Sequence, residues 1–327
     1  MVLLHGPNGS GKTNLLEALH VGTQGFSPRT RKDGTLIRFG ASAARVTLSG
    51  LAGEAAFTTD TVLTRGDGRR VDLNGERLTS HDRLRTELAT LVFTPDRLAV
   101  VKGGPATRRA YVDRAGGRLV PARAPLAAEY AAAVAQRNAG LRRIRSGMST
   151  PAALAPWTRK VAELGSLLVE TRWETLDALT PAFARAADEL GLGGATLAYE
   201  GDPPTEESLE SRLAEDVERG VTSVGPHLHD VRIEAARRDL RSYGSQGEQR
   251  IAVLALVLAE SEILRERTGS SPLVLLDDVL SELDGSRRRA LAEMIEGGAQ
   301  TVVTATAAAA LPAEPALSLT VSPGEVA

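Results

Sequence analysis

Gly6-Pro7-Asn8-Gly9-Ser10-Gly11-Lys12-Thr13 follows the apolar run Val2-Leu3-Leu4-His5 and leads into Asn14-Leu15-Leu16-Glu17-Ala18-Leu19. The octapeptide matches G-x-x-x-x-G-K-[ST] in full, and it stands where that pattern has meaning, between a strand and a helix. Its glycines let the backbone curl so that successive N–H groups face phosphate oxygens, and the helix behind adds its positive end. Lys12 is then expected along the β- and γ-phosphates of a nucleoside triphosphate, and Thr13 against Mg²⁺. The fold this implies is an α/β lobe built around a phosphate-binding loop.

Two further segments carry chemistry. Leu273-Val274-Leu275-Leu276-Asp277-Asp278 reads as a buried strand ending in two acids. Asp277 is expected as the second Mg²⁺ contact, on a strand lying side by side with Val2–His5. Asp278 is expected to face the γ-phosphate and orient the attacking water. Taken alone, two acids after a strand are equally a helix cap. Ser245-Gln246-Gly247-Glu248-Gln249 precedes the apolar helix expected over 250–264. Its amides and serine hydroxyl sit at that helix's positive end and make a second phosphate-binding feature. One chain has one Lys12 site, so the second feature makes sense against the nucleotide of a partner subunit; standing alone it is a capped helix start.

Composition narrows the class. The chain has 327 residues, 42% apolar and 24% charged, which is ordinary for a globular protein. Cysteine is absent, which excludes a disulfide scaffold, a thiolate metal site and a cysteine nucleophile, and fits a cytoplasmic location. No apolar run approaches the roughly 20 residues of a membrane helix, and no signal peptide precedes the glycine-rich loop. Net charge is only -2, so any nucleic-acid binding must come from a local patch. Between 103 and 146 arginines outnumber acids nine to two, and between 186 and 220 acids outnumber arginines ten to two. The only lysines are 12, 32, 102 and 160, so part of the arginine content is compositional bias, and a solvated helical face accounts for the basic stretch as well as DNA does.

Organisation follows from periodicity. Short strands are expected at 46–48, 56–58, 62–64 and 91–94, with a hairpin at Asn74-Gly75. Three or more helices are expected within 105–191, a strand at 197–200, and further strands at 273–276 and 301–304. The simplest arrangement is one α/β lobe from 1–100 and 221–310, an inserted mainly helical lobe over 101–220, and a loose Ala/Pro-rich tail over 311–327.

Together, the glycine loop, Ser245–Gln249, Leu273–Asp278 and Ser281-Glu282-Leu283-Asp284 resemble the Walker A, signature, Walker B and D-loop motifs of an ABC-type ATPase. Gly103-Gly104-Pro105 with Arg108-Arg109, Gly225-Pro226-His227, and Tyr243 to Arg250 narrow the resemblance to the RecF family of bacterial recombination mediators. The resemblance implies ATP binding, an ATP-dependent head-to-tail homodimer, and a grip on gapped DNA or single/double-strand DNA junctions. It also implies slow, DNA-stimulated ATP hydrolysis in DNA repair and replication, alongside RecO- and RecR-like mediators that help load the RecA recombinase. Carried onto these residues, Gly6 to Thr13 bind ATP with Mg²⁺, Ser245, Gly247 and Gln249 reach the partner's γ-phosphate, Asp277 supports the metal, and Asp278 is the catalytic carboxylate. Asp278 is one methylene shorter than the Glu of transporters, which suits a slow clamp. DNA phosphates are expected to meet Arg108, Arg109, Arg142 and Arg143.

The family pattern places a strand and an aromatic- and arginine-bearing segment ahead of the P-loop strand. Here the loop starts at residue 6, so the sheet is expected to lack that first strand. Gly225–Asp230 carries Leu-His-Asp after its first histidine where the family has Arg-Asp, and Thr304 stands where transporters keep a histidine. Other readings are a non-enzymatic DNA- or partner-binding protein with a degraded head, and a transporter cassette, which the helical insertion argues against. An SMC head would need a far longer coiled-coil insertion, and a small-molecule kinase has no use for Ser245–Gln249.

Overall fold

The computed structural model describes every residue except Asp67 and Gly297, and describes no side chain at Asp82, Thr86 or Glu282, so the glutamate of the Ser281–Asp284 motif lies outside the described side chains. In chain order, β1 (Val2–His5) and α1 (Lys12–Gln24) flank the glycine loop. The hairpin strands β2 (Ala43–Ala52), β3 (Ala55–Thr64), β4 (Gly68–Leu73) and β5 (Glu76–Arg77) come next, then β6 (Thr90–Phe93). The helices α2 (Pro105–Leu119), α3 (Leu126–Arg145) and α4 (Ala155–Glu189) are followed by the strands β7 (Thr196–Glu200), β8 (Asp230–Ala235) and β9 (Arg238–Asp239). Last come α5 (Gln246–Thr268), β10 (Leu273–Leu276), α6 (Gly285–Glu296), β11 (Thr301–Ala305), β12 (Leu317–Ser322) and β13 (Glu325–Val326). The chain divides into two compact units, one of Met1–Leu98, Arg185–Gly193 and Ser245–Ala327, the other of Ala99–Ala184 and Gly194–Gly244.

The first unit is built on a six-stranded sheet in the order β13-β12-β1-β11-β10-β6, parallel except for β13. Its central strands are short, continuous apolar runs, as a sheet covered on both faces requires. Leu4, Val92, Leu275, Val302 and Val321 pack with Leu16 of α1 in one cluster. A second, antiparallel sheet, β2-β3-β4-β5, shows the in–out alternation of a half-covered surface. The stretches 56–58 and 62–64, expected as separate strands, form the single strand β3. Asn74 (φ 51°) and Gly75 (φ 81°) make the two-residue turn that the Asn-Gly pair foretells.

Two expectations are corrected here. The P-loop strand and the strand bearing Asp277 are not side by side: β11 lies between them, paired in parallel with each. The tail is not loose: Leu317–Thr320 pairs in register with Val2–His5, and β13 folds back on β12. A Cβ at Gly6 would collide with the carbonyl oxygen of Val321, so glycine at the loop's first position is a packing requirement set by that tail. Consequently β1 is an interior strand, with β12 and β13 outside it.

The second unit holds α2, α3 and most of α4. Leu126, Tyr130, Val134, Val161, Leu164, Leu168 and Leu209 form its apolar cluster. The chain returns to the first unit at Ser245 and not at residue 221, because β8 pairs antiparallel with β7, Tyr199 opposite Val231, and so stays with the helices. Within the basic stretch, Arg137 is 0% exposed and donates to Asp216 (2.7 Å), Thr222 (2.9 Å) and the Leu209 carbonyl (3.1 Å). That arginine is interior structure.

Candidate functional site

The glycine loop leaves β1 at the carboxyl edge of the sheet, where Gly6 N–H donates to the Ala305 carbonyl. Gly9 (φ 82°) and Gly11 (φ 107°) take left-handed conformations that side chains resist. Lys12 is buried and its ammonium donates to the carbonyls of Gly6 (2.7 Å) and Pro7 (3.0 Å), bridging the mouth of the loop. The Ser10 hydroxyl is buried with no hydrogen-bond partner among the described residues. A lysine resting on its own loop carbonyls and an unspent hydroxyl beside it fit a triphosphate, which supplies acceptors to both.

Thr13 Oγ1 donates to Asp277 Oδ1 at 3.0 Å, joining α1 to the end of β10. A hydroxyl and a carboxylate are hard oxygen donors, and Mg²⁺ takes one or two such groups with phosphates and waters completing its shell. Among the described residues no cluster of three or more His, Asp or Glu would hold a metal without the phosphates. The donor set therefore fits a nucleotide-bound Mg²⁺. Burial pushes the Asp277 carboxyl up and the Asp278 charge adds to this, while hydrogen bonds from Thr304 and Thr13 and the charge of Arg29 act against it. Asp278 is half-buried and takes a left-handed backbone (φ 50°), a strained conformation of the kind held at functional sites.

Thr304 explains how that conformation is held. Its buried hydroxyl donates to Asp277 Oδ1 (2.9 Å) and accepts from the Asp278 N–H (2.8 Å). Sequence reasoning left this residue without a role; the signal was a threonine at the end of an apolar strand, meaningful only once β11 is known to lie beside β10. A second missed group is Arg29. It pairs with Glu17 of α1 (3.4 Å), its N–H donates to Ser27 Oγ, and Ser27 donates to Glu17. This folds part of the segment expected as an irregular loop back against the P-loop helix.

Ser245 caps α5 reciprocally: its hydroxyl accepts from Glu248 N–H (3.2 Å) and Glu248 accepts from Ser245 N–H (2.7 Å). Ser245 and Gln246 are exposed, and Gly247 leaves open space above the first turn. Gln249 departs from expectation. It is 3% exposed, on the inner side of the helix, where an exposed side chain had been expected.

The expected DNA arginines divide. Arg108 is 4% exposed, grips Asp230 with two hydrogen bonds (2.8 and 2.6 Å) and donates to the Gly103 carbonyl (2.7 Å), so it is not free to meet DNA. Arg109 is half-buried and donates to the His229 carbonyl, a second inward engagement. Arg142 and Arg143 are exposed in the last turn of α3, where Arg142 donates to the Gly220 carbonyl (3.4 Å).

The Gly225–Asp230 loop acquires a clear position. Arg172, bidentate to Asp113, also donates to the Pro226 carbonyl (2.7 Å) and the Tyr199 hydroxyl (3.0 Å). His227 must donate through Nε2 to the Thr222 carbonyl, so its Nδ1 accepts from the Tyr130 hydroxyl. Tyr199 meets His229 Nδ1 at 2.9 Å. These hydrogen bonds tie the loop into the second unit.

With this geometry in view, comparison with known proteins is specific. The family described as RecF/RecN/SMC N terminal domain matches residues 1–318. The chain is 35% identical over 321 residues to the DNA replication and repair protein RecF of Heliobacterium modesticaldum, covering 92% of this chain and 85% of that protein. It is 39% identical over 308 residues to the RecF of Anaeromyxobacter dehalogenans, covering 88% and 81%. A solved structure of the recombination mediator protein RecF with ATP, in the RecFOR pathway, superposes with a TM-score of 0.85 at 28% identity over 100% of this chain and 91% of that one. An Smc head domain from Pyrococcus yayanosii shares the fold, with a TM-score of 0.60 at 16% identity.

Proposed function

The chain belongs to the RecF family of DNA replication and repair proteins, and from that premise we propose that it is an ATP-dependent DNA clamp of recombinational repair. The observation that carries the reading is the joined set Thr13–Asp277–Thr304 beside the Lys12 loop: both halves of an ATP·Mg²⁺ site are present and bonded to each other. Lys12 and the loop amides hold the β- and γ-phosphates, and Thr13 and Asp277 hold Mg²⁺, which when bound neutralises phosphate charge. Asp278 orients the attacking water, its reach shortened by one methylene, so turnover is slow.

Ser245, exposed, and Gly247, half-buried, at the positive end of α5 cap the γ-phosphate of a second copy, so ATP drives a homodimer. Arg142 and Arg143 meet DNA phosphates, which makes binding independent of sequence and sensitive to salt. Gapped or junction DNA, RecO- and RecR-like mediators and loading of RecA complete the role. The test is solution mass by light scattering with and without ATP and Mg²⁺. The wild-type chain dimerises with ATP, Lys12→Ala stays monomeric, and Asp278→Asn accumulates as the ATP-bound dimer. A monomeric Asp278→Asn protein in saturating ATP refutes its assignment as the catalytic carboxylate.

A further inference from the structure

The sheet that carries the glycine loop at its carboxyl edge has a hollow at its amino edge. Val274, near the start of β10, and Thr301, at the start of β11, line it together with the ends of α4 and α6 and the second half of α5. All of these residues belong to the first unit. The hollow measures about 310 Å³, at the small end of the roughly 300–1,000 Å³ of ligand sites. Its floor is apolar: Val274 and Ile295 are buried, and Leu258 and Met294 are half-buried. The burial of α5 marks the opening, since from Ile251 to Ser261 every residue is buried except Leu258.

Two polar groups in this hollow are unspent. Ser261 of α5 is 9% exposed, and its hydroxyl has no hydrogen-bond partner among the described residues. A hydroxyl inside a helix can turn back to the carbonyl four residues earlier, as Thr268 of the same helix does to Leu264. Ser261 does not, and buried hydroxyls are ordinarily satisfied. Glu189 is exposed at the last position of α4 and has no cationic partner among the described residues. A carboxylate there meets the negative pole of its own helix, an unfavourable position that a cation would relieve. The arginines around the hollow are already occupied: Arg185 pairs with Glu262, and Arg265 is also engaged. α6 ends at the same hollow, which brings a second negative helix pole close by.

We propose that this hollow binds an organic ammonium, a cationic nitrogen carried on a short apolar body. The body covers Leu258 and Met294, the Ser261 hydroxyl offers an oxygen to accept a hydrogen bond, and Glu189 with the two helix ends supplies the negative field. An anion would meet that field unfavourably, and a neutral ligand would leave Glu189 unrelieved. A free small amine and the lysine side chain of a partner protein share this chemistry, since the lysine ammonium sits on a flexible four-carbon apolar stem.

Met294 gives the site its own reporter. The other methionines are Met1 and Met148; neither lines the hollow, and Met148 belongs to the second unit. The full chain, methyl-labelled at methionine, is titrated by NMR with phenethylamine, with its neutral counterpart phenethyl alcohol, and with a backbone-blocked lysine derivative. The Met294 methyl shifts saturably with phenethylamine, half-complete on the order of 1 mM, while Met1 and Met148 stay in place. Phenethyl alcohol binds about 5-fold more weakly, and Glu189→Gln removes that difference by weakening the amine alone. Ser261→Leu, which puts a side chain into the hollow, abolishes both titrations. Binding of the lysine derivative as tight as that of phenethylamine assigns the site to a partner's lysine, and binding of phenethylamine alone assigns it to a free amine. Lys12→Ala titrates as wild type does, so a failure of the function proposed above leaves this site standing. Equal affinity for amine and alcohol, in wild type and Glu189→Gln alike, overturns the inference, as does a Met294 methyl that none of the probes moves.

Discussion

Thr304→Val removes one buried hydroxyl and almost no volume, so its cost can be worked from two hydrogen bonds. The bond to Asp277 (2.9 Å) has an ionised acceptor, a class worth about 1.5–3 kcal/mol. The bond from the Asp278 N–H (2.8 Å) is neutral and worth about 0.5–1.5 kcal/mol. Asp277 keeps Thr13 as a partner, which limits the loss. The expected destabilisation is about 2–4 kcal/mol, or a fall of roughly 4–16 °C in the first unit's melting temperature at about 2–4 °C per kcal/mol. The assay must report on that unit. Trp157 and Trp173 both lie in the other one, so tryptophan fluorescence is the wrong probe; amide hydrogen exchange of β10 and β11 in urea is the right one. Thr304→Ser, which keeps both bonds, is the control. Losing the Thr304 donor also pushes the Asp277 carboxyl further up, away from the charged form that the proposed Mg²⁺ role requires, so under that proposal ATP affinity falls with stability. A Thr304→Val protein within about 0.5 kcal/mol of wild type, the range of an ordinary surface change, refutes the reasoning.

Two further outcomes follow from the second unit. Arg137→Ala leaves Asp216 charged with both partners' side chains fully inaccessible, and the tryptophan-monitored urea transition falls by about 3–5 kcal/mol, whereas the double change Arg137→Met with Asp216→Leu recovers most of it. His229 is pushed down to about 4, first by burial and then by the positive charges of Arg172, His227 and Arg109, against the opposing Asp202. The unfolded chain therefore binds a proton near pH 6.5 that the folded chain refuses until about pH 4, so stability drops as pH falls between those values. His227, also lowered by burial, adds to the same slope. Asp230, held below the carboxylate range by Arg108 against the effect of burial, gives way only at lower pH. Urea midpoints at pH 7.5, 5.5 and 4.5 measure the slope, and His229→Gln flattens it; an unchanged slope in that variant removes His229 as its source.

What the sequence made legible is what local chemistry dictates. A loop of Gly9, Gly11 and Lys12 between an apolar tetrapeptide and a helix can be read because phosphate binding constrains adjacent residues. Asn74-Gly75 can be read because its turn needs two positive φ values in succession. Partners set by topology could not be read this way. Thr304 gains its role only because β11 enters between β1 and β10, and strand order is not a local property. The Ala/Pro-rich tail looks loose until β12 is found beside β1, where its Val321 carbonyl forbids any side chain at Gly6. Orientation around a helix was the other missing quantity. Ser245 and Gln249 belong to one motif, yet four residues at about 100° each carry the chain from the exposed cap to the buried side of α5. In the same way a single step separates Arg108, closed on Asp230, from Arg109 at the boundary of solvent. A motif therefore names which residues belong together, and burial decides which of them face a ligand. On that ground the exposed Arg142 and Arg143 are the stronger places to look for DNA, although Arg108 and Arg109 carry the closer family match.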